Sequence, residues 1–155
     1  MMLDDAIFRR RSVRHFTDEQ VFPEDIEKLI SVAYKIPSAG AIRPLKIHLV
    51  ADKNVKEKLC AAALNQGSIK EAPVVFVVAA NFTEMIKRYH RRGYRYTFME
   101  AGHMGQNIAL EAVSLNLGTV MIGAFRDEEV KKVLGIVDDP LYIIPIGRPK
   151  EAVDG

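Results

Sequence analysis

The sequence predicts a mixed sheet of four strands with helices on both faces. The chain of 155 residues is long enough for one domain with a substantial core, and it contains neither a linker nor an internal repeat. Segments with helical spacing outnumber the strands and do not alternate strictly with them. Residues 74–78 (VVFVV) form a continuous apolar run rich in β-branched residues, which is typical of a strand covered on both faces. Helices packed on both sides of a mixed sheet are the economical arrangement of these elements.

The elements are expected in a definite order along the chain. A helix over residues 3–10 precedes a second that begins at Pro23, because proline suits the first helical position and Glu24 and Asp25 favour the positive helix end. Pro37 ends this second helix. Next come a strand (47–51), a helix (55–64), the apolar strand (74–78) and a helix (82–94) with a break near Gly93. The rest contains a long helix (97–117), an extended segment (119–125), a short helix (127–134) ended by Gly135, and a strand (141–146).

The predicted helix at 97–117 carries two narrow stripes on opposite sides. At about 100° per residue one stripe is polar and contains Glu100, His103, Asn107, Glu111 and Ser114. The opposite stripe consists of very small residues: Ala101, Gly102, Gly105, Ala109 and Ala112. Each interior glycine costs about 1 kcal/mol relative to alanine, so we expect another backbone to approach closely there. That backbone belongs either to the same subunit or to a second one.

Composition and charge exclude several kinds of function. The 22 basic residues nearly cancel the 20 acidic ones, and the net charge of +2 is too small to predict a nucleic-acid partner. Cys60 is the only cysteine, and the four histidines lack the spacing of metal ligands, so no metal site is expected. The first residues have acids before arginines, the reverse of a signal peptide, and no apolar run approaches a membrane span. We therefore expect a cytoplasmic protein with no membrane partner.

Four segments could bind a cofactor. Residues 9–14 place four arginines beside Ser12, which could hold a phosphate or could form a solvated basic helix end. The proline-framed segment 37–44 could lie flat against a planar ligand or could be an ordinary connection. In 117–125 a glycine interrupts an extended apolar run, so a backbone N–H at Gly123 or Ala124 could donate to a ring acceptor. Arg148 and Lys150 follow the last strand.

A cofactor is expected to supply the reactivity. The sequence contains no serine-hydrolase elbow, no Walker motif and no G-x-G-x-x-G, whereas cations suited to phosphate are frequent. A separate basic face, formed by Arg88, Arg91, Arg92 and Arg95 on one predicted helix, could meet the phosphates of NAD(P)H or nucleic acid. A solvated face is the simpler interpretation of that group.

Several short motifs, taken in chain order, resemble the FMN-dependent nitroreductase family across nearly the full length. They are residues 10–14 (RRSVR), 37–41 (PSAGA), 72–73 (AP), 100–107 (EAGHMGQN), 117–119 (LGT), 122–125 (IGAF) and 145–149 (PIGRP). The sequence is most similar to the branch that includes the azoline-forming dehydrogenases of modified-peptide pathways. It departs from the family at Ala41, where asparagine is frequent, and at Arg43 and Leu45, which replace the frequent glutamine and tryptophan. The chain is also shorter than most relatives, which favours an open pocket.

The resemblance implies an α+β protein with a three-layer α/β/α arrangement, in which residues 1–155 form one FMN-binding domain. It implies an intertwined homodimer with FMN at the subunit interface. The implied cofactor-binding residues from the two chain ends are Arg10, Arg11, Ser12, Arg14, Arg148 and Lys150, which would hold the phosphate, the ribityl chain and the pyrimidine edge. Pro37, Ser38 and Ala39 would approach the ring from the other subunit. Asn65 or Gln66 would place an amide near the ring, and the backbone of Ile122, Gly123 and Ala124 would face N5.

The implied activity is that of an FMN-dependent oxidoreductase. It would transfer hydride from NADH or NADPH to FMN and on to a small-molecule electron acceptor, such as a nitroaromatic or a quinone, with ping-pong kinetics. The chemistry would be carried by FMN rather than by a catalytic side chain. Two alternatives remain: an azoline dehydrogenase that acts on a peptide with a partner protein, and an FMN-binding module without turnover. The sequence does not distinguish NADH from NADPH as the donor.

Overall fold

The computed structural model describes residues 1–150, so residues 151–155 of the predicted domain lie outside the described part. The helices are α1 (Leu3–Arg9), α2 (Pro23–Ala33), α3 (Lys53–Ala62), α4 (Ser68–Glu71), α5 (Thr83–Tyr89), α6 (Arg92–Ser114) and α7 (Asp127–Leu134). The strands are β1 (Leu45–Val50), β2 (Val74–Ala80), β3 (Gly118–Thr119) and β4 (Asp139–Gly147). A 3₁₀ turn, Ala39–Ala41, lies in the proline-framed loop.

The four strands form one sheet in the order β1-β2-β4-β3. All three strand pairs are antiparallel, with Phe76 of β2 opposite Leu49 of β1 and Ile144 of β4. The expectation of a mixed sheet is therefore corrected for the named strands. Among the described residues a parallel pairing occurs only as an isolated bridge between Ser12 and Thr119, because the segment after α1 runs beside β3 without becoming a strand.

Two hydrophobic cores lie on opposite faces of the sheet, which confirms the three-layer α+β arrangement. Strand β2 is buried along its whole length, and its side chains alternate between the two cores. Val74, Phe76 and Val78 pack in the core that contains residues of α2 and α6. Val75 and Val77 pack in the core that contains residues of α3, α4 and α7. Burial on both sides explains the continuous apolar run of this strand.

The polar stripe of α6 faces α2 and the loop after it instead of solvent. Glu100 is 4% exposed and accepts a hydrogen bond from the backbone N–H of Ala39, with an N–O distance of 3.4 Å. Asn107 donates through Nδ2 to the carbonyl of Val32 at 3.0 Å. His103 alone among these three is exposed.

Gly102 and Gly105 of α6 have different surroundings. A Cβ on Gly105 would lie 2.9 Å from Sδ of Met121, so this glycine permits close packing within the subunit. A Cβ on Gly102 would meet nothing within 4 Å. Close packing inside the subunit therefore accounts for one glycine and leaves the other facing outward.

The predicted helix 82–94 is two helices, and the break comes earlier than expected. His90 has φ 55° and ψ −134°, which ends α5, and α6 begins at Arg92. Gly93 lies inside α6, where a Cβ would meet the carbonyl oxygen of Met85 at 2.6 Å. Because of this break, Arg88 and the three arginines after it do not share one helical face.

Other boundaries agree with the sequence to within a few residues. Gly135 ends α7 in the left-handed conformation with φ 64°, as predicted. The predicted extended segment 119–125 contributes only Thr119 to a strand, and Ile122 forms an isolated bridge with Ile143. The short helix α4 was not predicted. No helix within residues 1–150 combines the length and hydropathy that crossing a membrane requires.

Candidate cofactor site

The two ends of the described chain meet beside β3. Val13 donates its backbone N–H to the carbonyl of Thr119 at 2.9 Å, and Thr17 donates to the carbonyl of Arg148 at 2.9 Å. Lys150 donates its backbone N–H to the carbonyl of His15 at 3.0 Å. The side chains of Val13 and Phe16 are buried in the core that contains residues of α3, α4 and α7, and this burial also holds the segment in place. The arginine segment 9–14 is therefore attached to the sheet edge just after α1.

Two adjoining depressions follow this segment. One has a volume of about 300 Å³ and is lined by residues 11–15 and Pro149. The other has a volume of about 330 Å³ and is lined by Arg14, His15, residues 66–68, Glu71 and residues 120–122. The two depressions share Arg14 and His15, so we treat them as one cleft, the N-terminal cleft. Each volume lies at the lower end of the range of small-molecule sites, about 300–1,000 Å³.

Gln66 connects the far wall of the cleft to the segment 122–124. Its Nε2 donates to the carbonyls of Ala63 and Ala124, both at 2.8 Å. Ile122 exchanges both backbone hydrogen bonds with Ile143 at 2.9 Å, so its N–H is occupied. Within residues 1–150 no hydrogen bond engages the N–H groups of Gly123 and Ala124, and both residues are exposed. These two N–H groups are the ones available to a ligand.

Glu71 organises the cleft from the end of α4. Its Oε1 accepts from the backbone N–H of Phe16 at 3.0 Å and lies 3.2 Å from Nζ of Lys150. Its Oε2 lies 3.5 Å from Nδ1 of His15. Burial alone would raise the pKa of Glu71, but the Phe16 N–H and the Lys150 ammonium outweigh it and hold the pKa below its ordinary value. The carboxylate therefore joins both chain ends and α4.

Sequence reasoning missed His15, Gly67, Ser68 and Glu71 as residues of this cleft. Two of these residues adjoin short motifs in the sequence, which could have indicated them. His15 directly follows the motif 10–14, and Glu71 directly precedes the motif 72–73. Neither residue type by itself suggested a role.

The predicted site residues fall into three groups in the structure. The first lines the N-terminal cleft, the second lies outside its lining, and the third is the proline-framed loop. Arg11, Ser12, Arg14, Gln66 and Ile122 line the N-terminal cleft. Arg10 and Arg148 do not line it, and Arg148 instead forms an ion pair through Nε with Oε2 of Glu19 at 2.7 Å. Lys150 is near the cleft but is paired with Glu71. Gly123 lines a neighbouring depression of about 310 Å³ together with Phe98 and Tyr142.

The third group, Pro37, Ser38 and Ala39, lies against α6 and not in the N-terminal cleft. Besides the Ala39–Glu100 contact, Oγ of Ser38 accepts the backbone N–H of Arg43 at 2.9 Å. Gly40 has φ 60°, a left-handed conformation that glycine adopts without strain. Within one subunit this loop and the cleft therefore do not form a single site.

The cleft suits a phosphorylated planar ligand. Arg11, Ser12 and Arg14 place two guanidinium groups and a hydroxyl along one wall, and guanidinium forks match phosphate oxygens. The adjoining part of the cleft offers Val120, Met121 and Ile122 as an apolar surface, with the two available N–H groups just after it. No group of three or more histidine, cysteine or acidic side chains within residues 1–150 could hold a metal ion. FMN, with a phosphate and a flat ring, fits this set of donors and surfaces.

Comparisons with known proteins identify relatives of this chain by sequence and by fold. The chain matches the family described as the nitroreductase family over residues 7–70 and 60–148. It is 35% identical to a protein of Methanocaldococcus jannaschii that is provisionally named a nitroreductase, over 96% of this chain and 92% of that one. It is 30% identical to a Bacillus subtilis protein named FMN reductase with NAD(P)H, over 91% of this chain and 63% of that one. A nitroreductase family protein from Clostridium novyi, 23% identical, has the same fold, with a TM-score of 0.90 over 100% of this chain and 89% of that chain.

Proposed function

The chain belongs to the nitroreductase family, and we propose that it is an FMN-dependent oxidoreductase that transfers hydride from NADH or NADPH to a nitroaromatic, a quinone or a similar acceptor. The main support is the N-terminal cleft, where Arg11, Ser12 and Arg14 lie beside the part lined by residues 120–122. The Bacillus subtilis relative named FMN reductase supports the same cofactor and donor. When bound, FMN would supply the redox chemistry, taking a hydride from the nicotinamide and passing it to the acceptor.

The residues of this chain would bind and orient the cofactor. Arg11, Arg14 and Ser12 neutralise and hydrogen-bond its phosphate end, with Arg10 beside them on the chain. Gln66 holds the carbonyl of Ala124 at 2.8 Å and so restrains the backbone whose Gly123 and Ala124 N–H groups would be available to the ring. Such fixed donors stabilise negative charge as it develops on a reduced ring, and they need no rearrangement to do so. Donor and acceptor would stack in turn on the same face of the flavin ring, and this alternate use of one pocket gives ping-pong kinetics.

Arg148 and Lys150 have a smaller role in this proposal than the family resemblance implied. Both are already paired with carboxylates, Arg148 with Glu19 and Lys150 with Glu71. Exposed ion pairs are weak, so either cation could turn to a phosphate at small cost. Their contribution to cofactor affinity is accordingly expected to be less than that of Arg14.

We include the homodimer in the proposal because α1 and α6 expose large apolar side chains. Phe8 is 87% exposed and Leu3 is 65% exposed on α1, and Phe98 and Met99 are each 53% exposed on α6, against which α1 packs. Several large exposed apolar side chains on two packed helices are typical of a protein–protein interface. A second subunit would also explain why Gly102 faces outward, and it would bring a Pro37–Ala39 loop to the cleft of its neighbour.

The visible absorption spectrum tests the proposed function directly. Purified protein should show flavin bands and release FMN on denaturation. Anaerobic addition of NADH or NADPH should bleach these bands, and addition of a quinone or nitroaromatic should restore them. Flavin bands that neither nucleotide bleaches would contradict the oxidoreductase and favour a non-catalytic FMN-binding protein. A protein that binds no FMN would contradict the proposal altogether.

Two exposed apolar residues provide a matched test of the dimer. Phe8→Glu should weaken the dimer about tenfold or more, since aromatic residues dominate interface energies, and should lower FMN retention with it. Val137→Glu should change neither, although Val137 is 90% exposed, because it lies on neither α1 nor α6. Sedimentation velocity and FMN content measure both effects. A Phe8→Glu protein that stays dimeric, or a wild-type monomer that retains FMN, would overturn the interfacial placement.

A further inference from the structure

An unusually basic segment surrounds the junction of α5 and α6. Between Glu84 and Glu100 the sequence contains five cations and no acidic residue. Four of the cations are Arg88, Arg91, Arg92 and Arg95, which we call the arginine corner. All four are exposed, and within residues 1–150 none forms an ion pair. Arg126 and Arg148 each have a carboxylate partner, whereas the arginines of the segment 9–14, like those of the corner, have none within residues 1–150.

This concentration of charge is unfavourable in the isolated subunit. Three of the arginines lie at the start of α6, whose first turn contains no acidic residue. The positive end of a helix favours acids and disfavours cations. Like charges four residues apart, as Arg91 and Arg95 are, also repel each other. A bound anion would reduce both unfavourable interactions. A solvated basic surface without a ligand would leave them in place.

The arginine corner is attached to the loop that is proposed to approach the flavin ring. Arg88 donates through a guanidinium nitrogen to the carbonyl of Gly40 at 3.3 Å. A Cβ on Gly40 would lie 2.5 Å from that nitrogen and 2.7 Å from the hydroxyl of Tyr89, so the corner and the loop are in tight contact. If the loop reaches the ring of a neighbouring subunit, the arginine corner lies at the edge of the same pocket.

We propose that the arginine corner binds the 2′-phosphate of NADPH and makes NADPH the preferred donor at the site proposed above. This inference rests on the proposed function, because a dinucleotide donor must place its nicotinamide at the ring and its adenosine away from it. NADPH differs from NADH by one phosphate group on that adenosine, and planar guanidinium forks recognise such a group well. Tyr94, which is 43% exposed and packs its ring against Phe82, offers its remaining aromatic surface for the adenine.

Binding of nucleotide fragments tests the inference without turnover. With FMN-loaded protein, isothermal titration should show that 2′,5′-ADP binds at least about tenfold more tightly than 5′-AMP, as one charge-assisted hydrogen bond would give. The double variant Arg91→Gln/Arg95→Gln should lose this difference. Arg126→Gln, which removes an exposed arginine at the start of α7, should retain it. Equal binding of the two fragments to the wild-type protein would overturn the inference.

Donor preference gives the second measurement. The ratio of kcat/KM for NADPH to that for NADH should exceed about ten in the wild-type protein and should fall at least about tenfold in the double variant. An unchanged ratio would overturn the inference while the proposed function stands. Failure of both nucleotides to reduce bound FMN would instead contradict the proposed function, and the fragment titration would still decide the 2′-phosphate site. If a single-stranded oligonucleotide binds more tightly than 2′,5′-ADP and depends on the same arginines, the corner is a nucleic-acid site and the inference is wrong.

Discussion

Two arginine-rich regions of this molecule look alike in sequence and differ in how the fold holds them. The segment 9–14 is attached to the sheet through the Ser12–Thr119 bridge, the Val13–Thr119 hydrogen bond and the buried side chain of Val13. The arginine corner lies on two helix ends, and one hydrogen bond, from Arg88 to Gly40, attaches its guanidinium groups within residues 1–150. The first region is fixed along its backbone, whereas the second depends on long exposed side chains.

The difference fits two kinds of ligand. A backbone that is fixed before binding loses little conformational entropy when it holds a ligand, which favours tight and lasting association. Exposed arginines lose rotamer freedom on binding, which favours weaker association and release. We therefore associate the segment 9–14 with a resident cofactor and the arginine corner with an exchanging donor. Within residues 1–150 no acid is paired with an arginine of either region, and Glu71 instead holds the backbone of Phe16, just after the first region.

The largest expected effect that tests this comparison is on FMN affinity. Arg14→Ala should raise the Kd for FMN about tenfold or more, because it removes a charge-assisted contact from a preorganised wall. Arg95→Ala should leave the Kd within about twofold, because Arg95 does not line the N-terminal cleft. Fluorescence titration of apoprotein with FMN measures both values.

His103→Ala provides a second control for that experiment. His103 is exposed on α6 and does not line the N-terminal cleft. Equal losses of FMN affinity in the Arg14 and His103 variants would break the distinction between the two regions. Loss of FMN affinity in Arg95→Ala but not in Arg14→Ala would reverse the roles assigned to the two regions.

A smaller effect concerns the acid that supports the first region. The pKa of Glu71 is lowered in the folded protein, so its carboxylate stabilises the fold. This stabilisation is fully present at pH values above the pKa of a glutamate in the unfolded chain, about 4.3. This stabilisation is lost as the pH falls through the folded pKa. Glu71→Gln should therefore lower the free energy of unfolding at pH 7, by less than about 1 kcal/mol because the side chain is partly exposed, and the deficit should vanish in more acidic buffer.

The matched control is Glu57→Gln, since Glu57 is exposed on α3 and forms no ion pair within residues 1–150. Urea unfolding at several pH values compares the two proteins. A deficit in Glu71→Gln that is the same at pH 7 and at low pH would show that lost packing, and not the carboxylate charge, is responsible.

Much of the fold was readable from local patterns. The apolar run at 74–78 identified the central strand because burial on both faces leaves no polar position. Gly135 marked the end of α7 because glycine, which has no Cβ, adopts the left-handed conformation there without strain. The break at His90 was missed because a positive φ in a non-glycine residue is imposed by packing, here the close contact of Gly93 with the backbone of Met85. The antiparallel pairing was missed because strand direction depends on the path of the connections.

The candidate site was predictable only in part. The motif at 10–14 pointed to residues that line the cleft, whereas only Ile122 of the motif 122–125 lines it. The interaction of Glu71 with Phe16, His15 and Lys150 was not predictable, because it joins residues more than fifty positions apart. The same applies to the pairing of Arg148 with Glu19, which withdraws a cation that the sequence had assigned to the phosphate.

By itself the sequence determined the α+β class, the central strand and the family, because burial periods and short motifs are properties of neighbouring residues. The tertiary structure alone decided which arginines line a cleft, which are paired with acids and which remain without a partner in the described chain. The physical reason is that charge interactions act through space over a few ångströms. Only the folded chain sets those distances between residues that are far apart in sequence.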